Sequence, residues 1–116
     1  MDAVKAMLSR RTIRSYTTQP VQDEVVTELL TAAMSASSAG DAQPWHFIVV
    51  KERQVLDEIV KIHPHGQTIG EAQVAVVVCA DERAQRYMGL LAQDCAAATE
   101  NLIVAAHAKG LGCRVS

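Results

Sequence analysis

The stretch SSAGDAQPWHFIVV, residues 37–50, changes character at its centre. Its first five residues are small or turn-forming and predict a loop, in which Gly40 permits backbone conformations that a bulky residue forbids. Its last five residues, from His46 to Val50, are largely apolar and β-branched and predict a strand. The loop either holds a planar ligand against close backbone and small donors, or it is a plain connector.

Two predicted helices precede this stretch. Apolar residues recur at helical spacing over residues 22–35, which predicts an amphipathic helix with one buried stripe. Residues 2–9 predict a shorter helix that carries Val4, Met7 and Leu8 on one side. The loop of residues 37–41 therefore connects a helix to a strand.

A helix, a strand and a second helix are predicted after the stretch. The first of these helices is marked by three apolar residues at helical spacing, Val55, Ile59 and Ile62. Residues 73–80 are almost wholly apolar and predict a buried strand. A long helix is predicted from about Arg83 to Lys109, and Gly110 is a signal for its C-terminal end.

Length and composition favour one small globular domain over residues 1–116. The chain has a formal charge of −2, with 49% hydrophobic and 21% charged residues, so a disordered module or a nucleic-acid binder is not expected. The longest apolar run, Val74 to Ala80, is far shorter than the ~20 residues that span a bilayer. The three cysteines form no Cys-x-x-Cys pair, and no signal peptide is recognisable, which predicts a cytoplasmic protein with reduced thiols.

Three polar side chains share one face if residues 10–16 are extended. Side chains alternate along a strand, so Arg10, Thr12 and Arg14 then point the same way. Two guanidinium groups with a hydroxyl between them can bind a phosphate, because arginine forks grip phosphate oxygens bidentately. The alternative interpretation is a solvated basic strand without a ligand.

No pattern predicts metal binding or nucleophilic catalysis. His63 and His65 are two residues apart in a turn, and no His-x-x-x-His or Cys-x-x-Cys spacing is present. The chain also lacks the Gly-x-Ser-x-Gly elbow of serine hydrolases. The residues by themselves therefore predict a small domain that binds an anion.

Three motifs together resemble the FMN-dependent nitroreductase family. They are SRRTIRSY at residues 9–16, SAGDAQPWHF at 38–47, and QDCAAATENL at 93–102 followed by AAHAKGLG at 105–112. The resemblance implies an α+β fold with a central, mainly antiparallel sheet flanked by helices. It also implies a homodimer with FMN at the subunit interface. Relative to this pattern the chain lacks the later strands, so the sheet is expected to be incomplete at the C-terminus.

The resemblance also assigns FMN-binding residues. One group grips the phosphate and ribityl chain, namely Arg10, Arg11, Thr12 and Arg14. A second group approaches the flavin from the partner subunit, namely Ser37, Ser38 and Asp41. Asp41 stands where the family usually has Asn, and an ionised carboxylate accepts hydrogen bonds but donates none.

The implied activity is transfer of a hydride from NAD(P)H through FMN to a small oxidant such as a nitroaromatic or a quinone. The cofactor supplies this chemistry, so no side chain is predicted to be catalytic. One alternative is a non-catalytic dimeric module of the same fold that binds flavin or another phosphate ligand without turnover. Another is a domain that binds a phosphate ligand or an acidic partner through Arg10, Arg11 and Arg14 and needs no flavin.

Overall fold

The computed structural model describes residues 1–116 as four α-helices and two β-strands. In chain order these are α1 (Ala3–Ser9), α2 (Asp23–Met34), β1 (Trp45–Val50), α3 (Arg53–Ile62), β2 (Ala75–Ala80) and α4 (Leu91–Ala108). Short 3₁₀ turns occupy Ala39–Asp41, Gln67–Gly70 and Met88–Leu90. None of the helices combines the length and the apolar character needed to cross a membrane.

The two strands form an antiparallel sheet. Trp45 lies opposite Ala80 at one end, and Val50 lies opposite Ala75 at the other. Phe47 packs against the same helices as Trp45, because alternate side chains of β1 face one side of the sheet. Both predicted strands and the antiparallel pairing are therefore confirmed. The expected burial of the second strand is wrong, since no residue of β2 is fully buried and Val77 is 40% exposed.

The core lies where α2 and α4 pack together and cover the sheet. Small side chains let the two helices approach closely, since Ala33 and Ala98 are completely buried. The core contains seven buried residues, Leu29, Ala33, Trp45, Ala98, Leu102, Ile103 and Ala106. Lys109, which directly follows α4, forms an ion pair with Glu28 of α2 and adds a polar contact at the edge of this interface.

The short helix α1 is held at both ends. The Asp2 carboxylate caps its N-terminus by accepting a hydrogen bond from the Lys5 N–H at 2.9 Å. Near its C-terminus, the Ser9 hydroxyl lies 2.8 Å from Nε2 of His107 on α4. Ala6 is its buried residue, whereas the predicted apolar side of Val4, Met7 and Leu8 is exposed.

The buried side of α3 differs from the prediction. Leu56 is its buried residue, at 1% exposure, whereas Ile62 is 81% exposed. Three apolar residues at helical spacing were expected to mark the buried stripe, but Ile62 lies in the last turn, where it has left the packed surface. The existence of the helix is confirmed, and its predicted stripe is wrong.

The last helix begins later than predicted. Residues 82–84 form a turn, residues 85–87 are irregular, and α4 starts at Leu91 after the 3₁₀ turn. In the irregular segment the Gln85 side-chain oxygen accepts a hydrogen bond from the Tyr87 backbone N–H at 3.1 Å. Such a side-chain contact competes with helical hydrogen bonding, which explains why the helical pattern from Arg83 onward is not followed.

The predicted C-terminal end of α4 is confirmed at Gly110. Its φ is +81°, in the left-handed region that favours glycine. The Gly110 N–H donates to the His107 carbonyl at 2.9 Å, and the Leu111 N–H donates to the Ala106 carbonyl at 2.9 Å. These two bonds form a Schellman motif, which satisfies carbonyls that the helix itself leaves free.

We expect Gly110→Ala to destabilise the chain by about 1 kcal/mol, because an L-residue resists the left-handed conformation. Nothing lies within 4 Å of the added Cβ, so the loss reports backbone conformation alone. Thermal unfolding should show a fall of about 4 °C. Gly89→Ala is the matched control, since Gly89 is equally open and has no positive φ. An equal effect of both changes would contradict the assignment of the cap.

Candidate functional site: a basic pocket and a glycine loop

The arginine-rich segment after α1 runs beside the C-terminal residues. Thr12 and Cys113 form an isolated parallel bridge, and the Ile13 N–H donates to the Cys113 carbonyl at 3.1 Å. Gly112 permits this approach, because a Cβ at this position would lie 2.8 Å from Cγ2 of Ile13. Residues 10–16 were predicted to be extended, and the structure pairs this segment with another at Thr12 alone.

A pocket of about 330 Å³ lies between these two segments and α4. We call it the basic pocket, and its walls are Arg10, Thr12, Arg14, Glu100, Ile103, Cys113, Arg114 and Val115. The predicted face of Arg10, Thr12 and Arg14 is therefore brought together at one surface. Three guanidinium groups against one carboxylate leave the pocket with two positive charges.

The positive charge of the basic pocket is largely uncompensated. Glu100 lies 3.8 Å from Arg10, and this is the single ion pair of the pocket. Burial raises the pKa of the Cys113 thiol, although the Arg114 backbone N–H and the charge of Arg10 act in the opposite direction. The thiol therefore stays neutral near pH 7 and leaves the two positive charges available to an anion.

Arg11 lies outside the basic pocket. Its guanidinium donates to the backbone carbonyls of Leu8 at 3.1 Å and of Arg10 at 2.9 Å. These carbonyls lie at the end of α1, where helical acceptors are left free. In this conformation Arg11 contacts the end of the helix, whereas its neighbours on either side line the pocket.

The glycine loop, residues 37–43, has an unusual backbone. Gly40, Asp41 and Gln43 all have positive φ, at 61°, 54° and 47°. The Ser38 hydroxyl accepts a hydrogen bond from the Gln43 N–H at 3.0 Å, and the Asp41 carboxylate accepts one from Nε2 of Gln43 at 2.9 Å. Ser37, Gly40 and Asp41 remain exposed, so the loop presents small polar groups to its surroundings.

A buried carboxylate anchors the glycine loop to α4. Asp94 is 5% exposed and accepts hydrogen bonds from the Ala39 N–H at 3.0 Å and from Nε2 of Gln85 at 2.6 Å. Gln85 also donates to the Ala39 carbonyl at 3.1 Å, so both backbone groups of Ala39 are satisfied. Asp94 and Gln85 belong to no motif and were not predicted from the sequence. The available signal was the spacing of Asp94 four residues before Ala98, which puts a charge on a buried helical stripe.

The glycine loop and the basic pocket lie on different sides of α4. Asp94 anchors the loop, and Ile103 lines the pocket nine residues later. Nine residues make about two and a half helical turns, so these two side chains leave the helix in opposite directions. One chain therefore does not bring its own Ser37, Ser38 and Asp41 to its own basic pocket.

The rest of the surface offers no metal centre. No group of three or more His, Cys, Asp and Glu side chains is placed to hold a metal ion. The rings of His63 and His65 are 6.4 Å apart, and the His63 side chain accepts a hydrogen bond from the His65 backbone N–H. This histidine pair stabilises its own turn.

Comparison with known proteins identifies the family. The sequence model of the nitroreductase family matches residues 7–82, about two thirds of the chain. A Methanothermobacter thermautotrophicus protein named for NADH dehydrogenase/NAD(P)H nitroreductase activity is 43% identical over 112 residues. The match covers 97% of this chain and 59% of that protein. The chain belongs to the nitroreductase family, and it spans about 60% of the length of this relative.

Solved structures of related proteins have the same fold. A nitroreductase-type protein from Desulfovibrio desulfuricans, solved in complex with FMN, superposes with a TM-score of 0.89 at 32% identity. That match covers 97% of this chain and 66% of the other. An FMN-dependent nitroreductase from Clostridium difficile superposes with a TM-score of 0.85 at 28% identity, covering 94% of this chain and 62% of the other. The expected α+β nitroreductase fold is confirmed.

We expect Asp94→Ala to destabilise the chain by about 3 kcal/mol, because it leaves the buried Gln85 amide and the partly buried Ala39 N–H without an acceptor. Asp94→Asn keeps one acceptor and should cost about half as much. Denaturant unfolding measures both losses, and hydrogen exchange at Ala39 should accelerate in both variants.

Asp57→Ala is the control for this prediction. Asp57 forms an exposed ion pair with Arg53 on α3, and such pairs contribute little stability. Unchanged exchange at Ala39 in the Asp94 variants would contradict the role of Asp94 as the anchor of the loop.

Proposed function

We propose that this chain is the FMN-binding part of an NAD(P)H-dependent oxidoreductase that reduces a nitroaromatic, a quinone or a similar small acceptor. The observation that carries the proposal is the basic pocket, in which the chain brings together three arginines and Thr12. Family membership supports it, as does the naming of a Bacillus subtilis relative, 30% identical over 80 residues, as an FMN reductase.

The pocket suits the phosphate end of FMN. A phosphomonoester carries a charge of about −1.5 to −2 at pH 7, which matches the two positive charges of the pocket. Guanidinium groups bind phosphate oxygens bidentately, and the Thr12 hydroxyl is placed to donate between Arg10 and Arg14. These three residues are therefore proposed to hold the phosphate. Arg11 is proposed to reach the ribityl chain after leaving the carbonyls at the end of α1.

The placement of the glycine loop supports the proposal of a homodimer with FMN at the subunit interface. Because the loop and the pocket of one chain lie on different sides of α4, the loop of a second copy is the available source of Ser37, Ser38 and Asp41. The rigid anchor at Asp94 holds that loop in one conformation, which suits a loop that must meet a ligand on another subunit.

When bound, the flavin supplies the hydride-transfer chemistry, and the protein supplies binding, orientation and electrostatics. The basic pocket holds the anionic end of the ligand, and the exposed Gly40 allows close approach of backbone to a planar ring. No side chain needs to act as an acid or a base. A cytoplasmic location is also proposed, and the three unpaired thiols support it.

Arg10→Glu and Arg14→Glu should each weaken FMN binding about 100-fold, because each replaces an attractive charge beside the phosphate by a repulsive one. Fluorescence quenching of FMN measures the affinity. Lys61→Glu is the control, since Lys61 is exposed on α3 and pairs with Glu58. FMN affinity that is the same in all three variants would remove the assignment of the pocket.

Mixing two defective chains tests the shared site. Arg14→Glu damages the basic pocket, and Ser37→Trp places a bulky ring on the exposed loop. Random assortment makes about half of the dimers mixed. If each site combines the pocket of one chain with the loop of the other, each mixed dimer has one intact site and one doubly damaged site. About a quarter of the wild-type FMN capacity should then return after subunits are exchanged. A dimeric mixture that recovers no capacity would argue that each chain builds its site alone.

A further inference from the structure

The basic pocket contains one arginine that neither the motif pattern nor the family comparison assigns to a ligand. We propose that Arg114 is a phosphate-binding residue, and that its guanidinium makes the pocket selective for a dianionic phosphomonoester such as the terminal phosphate of FMN. The identity of the ligand rests on the proposed function. The role of Arg114 in binding phosphate rests on its place in the pocket.

The backbone pairing brings Arg114 to the pocket. Thr12 and Cys113 are bridged, and Gly112 approaches Ile13 so closely that a side chain at residue 112 would separate the two segments. Arg114 follows directly and forms part of the pocket wall together with Arg10. Its position is therefore determined by hydrogen-bonded backbone, although the residue lies near the end of the described chain.

Arg114 has no other partner in the structure. None of the seven ion pairs of the chain includes it, whereas Arg10 already interacts with Glu100. The residue is half-buried, and its positive charge partly opposes the increase that burial causes in the pKa of Tyr16. Its guanidinium is thus held beside residues 12–16 with its hydrogen-bond donors available.

The charge balance shows what Arg114 adds. Arg10 and Arg14 against Glu100 leave one positive charge, which matches a monoanion. Arg114 increases this to two positive charges, which matches a phosphomonoester in its predominant form above pH 6. Arg114 and Arg10 are half-buried, so solvent screens their charges less than it screens the charge of the exposed Arg14.

The expected selectivity concerns flavins with and without a phosphate. FMN and riboflavin share the ring and the ribityl chain and differ at the phosphate, so the ratio of their affinities isolates the contribution of the basic pocket. Removing one charge-assisted donor from a phosphate should cost about tenfold in affinity. Arg114→Gln should therefore weaken FMN binding about tenfold and leave riboflavin binding unchanged.

The experiment measures FMN, riboflavin and inorganic phosphate binding by the purified full chain and its variants. Arg114→Lys keeps the charge but loses the fork, so its FMN affinity should lie between those of the wild type and Arg114→Gln. Arg83→Gln is the matched control, because Arg83 is 92% exposed and its guanidinium contacts Asp81. Thermal unfolding of every variant checks that the fold is intact.

The outcomes separate the two proposals. Loss of FMN and phosphate affinity in Arg114→Gln, with riboflavin affinity and stability unchanged, supports the role of Arg114. Wild-type affinities in Arg114→Gln, alongside weakened FMN binding in Arg14→Glu, would overturn the role of Arg114 and leave the proposed function standing. Phosphate binding that depends on Arg114 in a chain that binds no flavin would keep Arg114 and overturn the flavin assignment. A chain that binds none of the three ligands would overturn both.

Discussion

The close contact between α2 and α4 is the interaction on which the rest of the structure depends. Ala33 and Ala98 are completely buried in it, so no larger side chain fits without moving a helix. Because α4 is held there, Asp94 meets the glycine loop and Ile103 meets the arginine-rich segment. One alanine-lined contact thus positions both parts of the candidate site.

Periodicity predicted the elements of this fold well where one pattern dominated. The helix over residues 22–35 and the strands around β1 and β2 appear as expected, since their apolar patterns and their flanking turn residues agree. The predicted start of α4 at Arg83 was wrong. The hydrogen bonds of the Gln85 side chain favour an irregular segment over the helix that the local sequence suggests. The predicted apolar stripe of α3 was wrong for a different reason. Spacing identifies residues that share one face of a helix, but it does not indicate which face packs against the rest of the protein.

The candidate site likewise contains residues that the sequence predicts and residues that it does not. Alternation along a strand was enough to group Arg10, Thr12 and Arg14, and the structure brings them to one pocket. No pattern points to Arg114, and the helical spacing of Asp94 marks it as a charge on a buried stripe without indicating its partner. Each acquires its role from a segment far away in the chain, Arg114 through the bridge at Thr12 and Asp94 through Ala39. Local sequence carries no information about such pairing.

The bridge between Thr12 and Cys113 joins residues that are about 100 positions apart, so the basic pocket depends on a contact of high sequence separation. Closing so long a loop is entropically costly, and contacts of this kind contribute late to folding. The pocket therefore forms only after the arginine-rich segment has paired with residues 112–115. An anion that binds in the pocket binds only the native state. By mass action it therefore stabilises the native state against local unfolding that breaks the bridge between Thr12 and Cys113.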